Sequence, residues 1–364
     1  MTMCVFPALE APVEACLFYG LIELAPAALD PAAWTASVVD EIVQFRLSSH
    51  ALALIDDHGL LVDDAVRAQL DHGLFRQTIN AMRLEGVVVE LQQFLRDADI
   101  ASVALKGVAL GDVQTDRCPR FYGDVDLLVS SGNFRRAIDL YCGAGYRLEH
   151  PSPWNRFFAK SVNLYDSEGR AVDVQRAIAP WCWTRHLRFH SLLARGRTIE
   201  ANEAYAVGIE DALITTAMAH AADLGDDHEK LVPWRDLAIL VPLVDHATVV
   251  HIARRARVAP IVAMMLAQLP EALRPADLIE QLGGAHIPLA KRPRWRVLTN
   301  RRWAQRYWFV RVTRNLPISR LIPGIIALPI LPPNDEPLSQ WWRSIASVAL
   351  RKRAPVWHRE PGPL

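Results

Sequence analysis

Long apolar runs, paired cysteines, internal repeats and low-complexity segments are all missing from this chain. The apolar stretch 321–331 is short and is interrupted by Pro323 and Pro329, so we expect no transmembrane segment. The five cysteines are scattered and form no Cys-x-x-Cys pair, which is typical of a reduced protein. Residues 1–20 contain no Lys or Arg, so we expect no N-terminal signal and a cytoplasmic protein.

The chain also lacks a net charge, because its 40 basic residues balance its 40 acidic residues. The charges are unevenly placed: residues 285–364 carry 15 Lys and Arg against three acidic residues, so the rest of the chain is acidic. Such a basic tail could face phosphates, a membrane surface or an acidic partner. A length of 364 residues with 51% apolar and 22% charged residues indicates a globular protein of one large or two ordinary domains.

The first hundred residues have a helical pattern. Asp30 and Pro31 are typical of a helix start, and apolar residues then recur at helical spacing to about Asp57. A longer helix is predicted from Asp63 to Asp97. We interpret the apolar residues of both helices as packing residues.

Two short strands with a Lys-Gly turn between them form the centre of the sequence. The apolar run 102–105 predicts a buried strand, and Lys106 and Gly107 follow it directly. A second strand is predicted at 124–129, where Asp124 and Asp126 precede an apolar run. Because side chains alternate along a strand, these two aspartates share one face, roughly 6–7 Å apart.

A third aspartate lies in a predicted hairpin. The runs 162–165 and 171–174 flank the turn sequence Asp-Ser-Glu-Gly, which predicts two antiparallel strands. Asp173 lies between two valines of the returning strand. It is either an edge-strand residue that faces solvent or a third carboxylate beside Asp124 and Asp126.

Three carboxylates on adjoining strands could hold divalent cations. Hard oxygen ligands suit Mg²⁺ or Mn²⁺, and a pair of such ions about 3.5–4 Å apart supports in-line displacement at phosphorus. An Asp-x-Asp pair alone is common at the start of strands. The Lys106-Gly107 turn, upstream of Asp124, adds a cation and backbone N–H groups suited to phosphates.

The second half of the chain is predicted to be helical over 208–245 and 246–284. His220 and His228, with Asp223 and Asp227, could form another metal cluster, but the His-Glu-x-x-His spacing is absent and we favour packing or capping roles. From residue 291 to 314 the chain is basic and aromatic. This segment could contact RNA or an anionic membrane surface, or could pack as an Arg-rich helix.

The central motifs resemble the DNA-polymerase-β-like nucleotidyltransferase superfamily and, within it, the uncharacterised nucleotidyltransferase family. The resemblance covers roughly residues 60–245. The matching residues are Leu105-Lys106-Gly107, Arg120, Gly123 to Val129, Ala137, Gly145-Tyr146, Val172-Asp173-Val174, His220-Ala221 and Trp234-Arg235-Asp236-Leu237.

The resemblance implies roles for six residues. Gly107 and Lys106 would bind the triphosphate, and Arg120 would contact phosphate unless it is a surface residue of a loop. The metal ions would be bound by the catalytic carboxylates Asp124, Asp126 and Asp173.

Two positions depart from the family pattern. Val108 replaces the serine that usually follows the glycine, which removes a hydroxyl contact to phosphate. Gln175 stands where a histidine often follows the third aspartate, which leaves open how the acceptor is activated.

We therefore expect an α+β protein with a small mixed β-sheet core. The predicted divisions are an N-terminal helical region 1–97, a nucleotidyltransferase core 98–206, a helical region 207–290 and a basic C-terminal segment 291–364. The expected function is metal-dependent transfer of a nucleoside monophosphate from an NTP, such as ATP, to an unidentified acceptor, with release of pyrophosphate. The alternative is a catalytically degenerate nucleotide-binding module that regulates or scaffolds a partner through the basic segment.

Overall fold

A computed structural model describes residues 9–113, 119–149, 160–179, 187–200, 203–223 and 231–284. The basic segment 291–314 lies outside these ranges, as do Asp227 and His228 of the second metal cluster considered above. Within the described residues, no single helix is both long and apolar enough to span a membrane. The helical pair 232–243 and 246–255, bent by 119°, reaches that length and composition only when taken together.

The helices between residues 9 and 101 precede the sheet. They are α1 (Ala11–Leu17), α2 (Ala36–Gln44), α3 (Ser48–His58) and α4 (Asp64–Arg96), with 3₁₀ turns at Pro26–Leu29 and Pro31–Ala33. The prediction of one continuous helix to Asp57 is wrong, because the chain turns between α2 and α3. Arg46 takes a left-handed conformation there, with φ +61°.

The long helix α4 is confirmed almost to the residue. Asp63 caps it by accepting a hydrogen bond from the backbone N–H of Ala65 at 2.8 Å. Its buried side packs on α2, α3, β1 and β2, so the helix joins the N-terminal helices to the sheet. The helical spacing of Val66, Leu70, Leu84 and Leu91, which are all buried, explains this contact.

The central element is a seven-stranded mixed sheet. Its strands are β1 (Ser102–Ala104), β2 (Asp124–Val129), β3 (Arg147–Leu148), β4 (Ser161–Tyr165), β5 (Ala171–Gln175), β6 (Arg197–Thr198) and β7 (Tyr205–Ala206). The spatial order is β3-β4-β5-β2-β1-β7-β6. Strands β2 and β5 are parallel neighbours, and the predicted hairpin is confirmed as the antiparallel pair β4–β5. Among the described residues, the helices between the strands are α5 (Lys106–Ala109), α6 (Phe134–Gly143) and α7 (Phe189–Ala194).

Further helices follow the sheet in the part of the chain that the structure describes. They are α8 (Ile209–Asp223), α9 (Val232–Leu240), α10 (His246–Arg255), α11 (Ala259–Leu266) and α12 (Ala276–Gln281), with 3₁₀ turns at Val241–Leu243 and Glu271–Leu273. Trp234 of α9 is fully buried and meets the ring of His220 edge-on, with 4.5 Å between ring centroids. This ring contact agrees with the packing role that we favoured for His220.

The predicted fold class is confirmed: a mixed sheet lies between N-terminal and C-terminal helical segments. On one face of β2 and β5 the apolar residues Val125, Leu127, Val172 and Val174 are buried in the core. The alternation that buries them sends the polar residues of the same strands to the opposite face.

Candidate functional site

The strand register brings the three predicted carboxylates to one face of the sheet. Asp126 of β2 lies directly opposite Asp173 of β5, and Asp124 lies opposite Ala171. Asp126 is buried, Asp173 is half-buried and Asp124 is exposed at the start of its strand. Because β5 lies between β4 and β2, the interpretation of Asp173 as an edge-strand residue is wrong.

Two cationic or polar donors converge on these carboxylates. Lys106 Nζ donates to Asp126 Oδ1 at 2.9 Å. Gln175 Nε2 donates to Asp173 Oδ2 at 2.8 Å and also to Asp126 Oδ1. Gln175 follows Asp173 by two residues along β5 and therefore shares its face. The amide thus joins the two carboxylates across the parallel strand pair.

Burial dominates the electrostatics of the site. Burial, followed by the charges of Asp126 and Asp124, raises the pKa of Asp173 to about 7, although Lys106 and a hydrogen bond from Ser161 oppose the shift. For Lys106, burial lowers the pKa, but attraction to Asp126 and their hydrogen bond outweigh burial and raise it overall. Lys106 therefore stays charged, whereas the negative charge of Asp173 is not fully compensated by its neighbours.

Carboxylate oxygens are the type of donor that a hard divalent cation prefers. Asp173 Oδ1 is buried without a hydrogen-bond partner among the described residues, which is costly for a carboxylate unless a cation compensates it. As the side chains stand, no three His, Cys, Asp or Glu residues of the described ranges are grouped closely enough to hold a metal. Lys106 and Gln175 both contact the same oxygen of Asp126, so cation binding requires these contacts to change.

Lys106 and Gly107 are the first two residues of the single helical turn α5, which follows β1 after Leu105. Lys106 has φ +46°, a left-handed conformation that is rare for a residue with a side chain. The backbone N–H of Leu105 donates to the carbonyl of Asp126 at 3.0 Å and ties the turn to β2. The turn therefore points the lysine side chain at the carboxylate of Asp126.

Gly107 is explained by packing. A Cβ at this position would lie 2.6 Å from Cβ of Tyr122 and 2.8 Å from Nη1 of Arg120. Both distances are shorter than the separation that a Cβ keeps from other heavy atoms. A valine at this position should therefore disturb the packing of the fold. A role in triphosphate binding stays a prediction.

Arg120 is held in a buried ion pair. Its Nε and Nη2 atoms donate to the two carboxylate oxygens of Asp236 in α9, both at 2.7 Å. Burial lowers the pKa of Arg120, but the attraction and hydrogen bonds of Asp236 outweigh it. The surface-loop interpretation of Arg120 is wrong, since the guanidinium joins the loop before β2 to the C-terminal helices. Its predicted phosphate contact would have to coexist with this pairing.

Two further residues shape the site and were missed from sequence. The guanidinium of Arg46 lies over Gly123, where a Cβ would overlap Nη2, and it lies near the charge of Asp124. Asn80 Nδ2 donates to the carbonyl of Tyr122 at 2.8 Å and fixes the same loop from α4. No sequence motif marked Arg46, because its position depends on the left-handed turn between α2 and α3.

The comparison with protein families agrees with the resemblance found in the sequence. No curated protein matches this chain. Among solved structures, an antigenic nucleotidyltransferase-like protein from Paracoccidioides brasiliensis aligns with 56% of this chain and 94% of its own, at 16% identity and a TM-score of 0.37. A sequence model of the uncharacterised nucleotidyltransferases matches residues 33–274, about two thirds of the chain. The chain therefore belongs to the uncharacterised nucleotidyltransferase family.

Proposed function

We propose that this protein transfers a nucleoside monophosphate from an NTP to an acceptor, with Mg²⁺ or Mn²⁺ bound by Asp124, Asp126 and Asp173. The observation that carries the proposal is the shared face of the three aspartates, where Asp173 keeps a buried oxygen without a partner among the described residues. A bound divalent cation would neutralise charge on the phosphates and on the leaving group.

The residues of this chain supply position and charge. Lys106 lies against Asp126 and stays protonated, so it can turn to a triphosphate oxygen when a cation takes its place on the carboxylate. Gln175 can release Asp126 in the same way and retain its bond to Asp173. Such preorganised groups stabilise the charge that develops during phosphoryl transfer.

The proposed reaction forms one bond and breaks one. An oxygen of the acceptor, a hydroxyl in the simplest case, attacks the α-phosphorus of the NTP. The bond from that phosphorus to the α,β-bridging oxygen breaks, and pyrophosphate leaves with the electron pair. Asp173, on the face of the sheet where the hydroxyl would approach, accepts the hydroxyl proton.

One observation favours a second candidate, a nucleotide-binding module without transfer activity. In the described residues the carboxylates do not form a ready metal cluster, and Asp126 already has an ion pair with Lys106 and a hydrogen bond from Gln175. A chain of this kind would bind an NTP and would release no pyrophosphate.

The two candidates separate in one assay. The full-length protein is incubated with each α-³²P-labelled NTP, Mg²⁺ or Mn²⁺ and a cell extract, and labelled products and pyrophosphate are measured. We expect labelled product from the wild type and a loss of at least about 100-fold in Asp126→Asn and Asp173→Asn.

Asp139→Asn is the matched control, because Asp139 is a half-exposed carboxylate on α6 and should leave the transfer unchanged. NTP binding measured by calorimetry, with neither labelled product nor pyrophosphate from any mixture, would establish the second candidate. Equal labelling by the wild type and the two active-site variants would disprove the assignment of the carboxylates.

A further inference from the structure

A cleft of about 810 Å³ opens beside the carboxylate face. Its walls are α2, α4 and the loop 121–123 that leads directly into Asp124. This volume lies within the range of sites that bind small molecules, which is roughly 300–1,000 Å³. The cleft therefore has the size and the position of a substrate site that adjoins the proposed centre of transfer.

The cleft is strongly cationic. Three arginines line it, Arg46, Arg76 and Arg83, and Asp40 is the one carboxylate among the described lining residues. The carboxylate of Asp40 already accepts a hydrogen bond from Gln69 Nε2 at 2.5 Å. A surplus of positive charge in a concave site attracts anions and raises their local concentration.

The arginines of α4 are placed for two contacts with one ligand. Arg76 and Arg83 are two helical turns apart and so share one face, about 10 Å apart along the axis. His72 lies one turn before Arg76 on the same wall. Arg76 and Arg83 are exposed, so binding a ligand would require no opening of the core. Guanidinium groups bind phosphate through paired hydrogen bonds.

Arg46 connects the cleft to the carboxylates. Its guanidinium fills the space over Gly123, and burial lowers its pKa while the charge of Asp124 acts in the opposite direction. The backbone of Arg46 is in a left-handed conformation, which costs energy for a residue other than glycine. Asn80, also in the wall of the cleft, fixes Tyr122 beside it.

We propose that this cleft binds the acceptor and that the acceptor is a small molecule bearing a phosphate group, an inference that rests on the proposed function. Arg76 and Arg83 hold the phosphate, and Arg46 directs the acceptor oxygen toward the carboxylate face. The nucleotide would be bound by a different positively charged side chain, that of Lys106, which contacts Asp126. Arg46, on the acceptor side, approaches Asp124 instead.

The first test measures binding alone. Inorganic phosphate is titrated into the full-length protein, without metal or nucleotide, and binding is followed by calorimetry. The test variant is Arg76→Ala/Arg83→Ala. The matched control is Arg96→Ala/Arg136→Ala, which removes the same charge from exposed positions outside the cleft. We expect at least about tenfold weaker binding in the test variant and wild-type binding in the matched control.

The second test measures transfer. A small-molecule fraction of cell extract, with or without prior alkaline phosphatase treatment, is incubated with the α-labelled NTPs and Mg²⁺. We expect labelled product from the untreated fraction only, and about a tenfold loss in Arg76→Ala/Arg83→Ala with an unchanged Kd for NTP.

Each outcome decides one point. Unchanged phosphate binding in the test variant, or product from the phosphatase-treated fraction, would overturn the proposed acceptor site. An equal loss of NTP affinity would also overturn it, because the cleft would then be the nucleotide site. Cleft-dependent phosphate binding without labelled product from any fraction would disprove the proposed transfer instead and leave the cleft as an anion site.

Discussion

Asp126 and Asp173 lie directly opposite each other on the parallel strands β2 and β5, and one amide group, that of Gln175, donates to both. The pair concentrates negative charge in a largely buried place, and burial leaves Asp173 with a raised pKa. The same arrangement is costly in the free protein and suited to a divalent cation. Stability and cation binding should therefore be coupled through this pair.

Removing the Gln175 amide should expose that coupling. We expect Gln175→Leu to lower the free energy of unfolding by about 1–3 kcal/mol without metal, because two buried carboxylates lose a donor. Saturating Mn²⁺ should restore more stability to the variant than to the wild type, as measured by thermal unfolding with and without the ion.

Gln93→Leu is the control for this substitution. Gln93 makes a comparable amide–carboxylate bond of 2.6 Å to Asp97, but at an exposed position. Its loss should change stability little, with or without Mn²⁺. An equal response of both variants to Mn²⁺ would contradict a cation site at Asp126 and Asp173.

A side chain at Gly107 should disturb packing before it disturbs any ligand. We expect Gly107→Ala to cost about 1–3 kcal/mol in urea unfolding, because the added Cβ would meet Tyr122 and Arg120 at less than 3 Å. Gly86→Ala in α4 is the matched control: nothing lies within 4 Å of its added Cβ, and alanine favours a helix by up to about 1 kcal/mol. A Gly107→Ala variant of wild-type stability would show that the loop before β2 yields to the added methyl group.

Local patterns predicted those parts of the site that depend on strand alternation. The period of two in β2 put Asp124 and Asp126 on one face, and the hairpin signal put Asp173 in a strand. No local pattern predicted that this strand pairs with β2. The same alternation also placed Gln175 beside Asp173, so its contact with the carboxylates was accessible from sequence.

Contacts between distant segments were not predictable from the sequence. The pairing of Arg120 with Asp236 joins residues that are 116 apart, and nothing local marks them as partners. The break between α2 and α3 was missed because Phe45, Arg46 and Leu47 include neither glycine nor proline. At this turn the Arg46 guanidinium packs over Gly123, which is distant in sequence. Helical periodicity alone does not predict such a turn.

Protonation of His50 should link stability to pH. His50 is buried in α3, and burial, followed by the charge of Arg235, lowers its pKa to about 3. In the unfolded chain the pKa is about 6.5, so between these values the unfolded state binds a proton that the folded state does not. The contribution of neutral His50 is therefore complete above pH 6.5 and is lost progressively as the pH falls toward 3.

Urea unfolding at pH 7.5 and pH 5 tests this linkage. We expect the wild type to lose about 1–2 kcal/mol more over this interval than His50→Asn, because the variant has no imidazole to protonate. His251→Asn, which alters an exposed histidine of α10, should keep the wild-type pH dependence. An identical pH dependence in His50→Asn and the wild type would show that His50 does not control it.

The ion pair between Arg120 and Asp236 should stabilise the fold and decide the predicted role of Arg120. We expect Arg120→Met alone to cost about 3–5 kcal/mol in urea unfolding, since it leaves the carboxylate of Asp236 buried with its bidentate partner removed. Adding Asp236→Leu should recover most of that loss, because an apolar pair can replace a buried ion pair. Arg135→Met, which breaks the exposed 3.7 Å contact with Asp139, should cost less than about 1 kcal/mol.

The double variant Arg120→Met/Asp236→Leu, once its stability is restored, then tests whether Arg120 also contacts the NTP. NTP affinity equal to that of the wild type would show that Arg120 acts through the fold alone, since its guanidinium would be gone while the loop before β2 stays in place. A loss of affinity at restored stability would establish the phosphate contact that the family resemblance implies for Arg120. Failure of Asp236→Leu to restore stability would contradict the ion pair as the reason that both residues are buried.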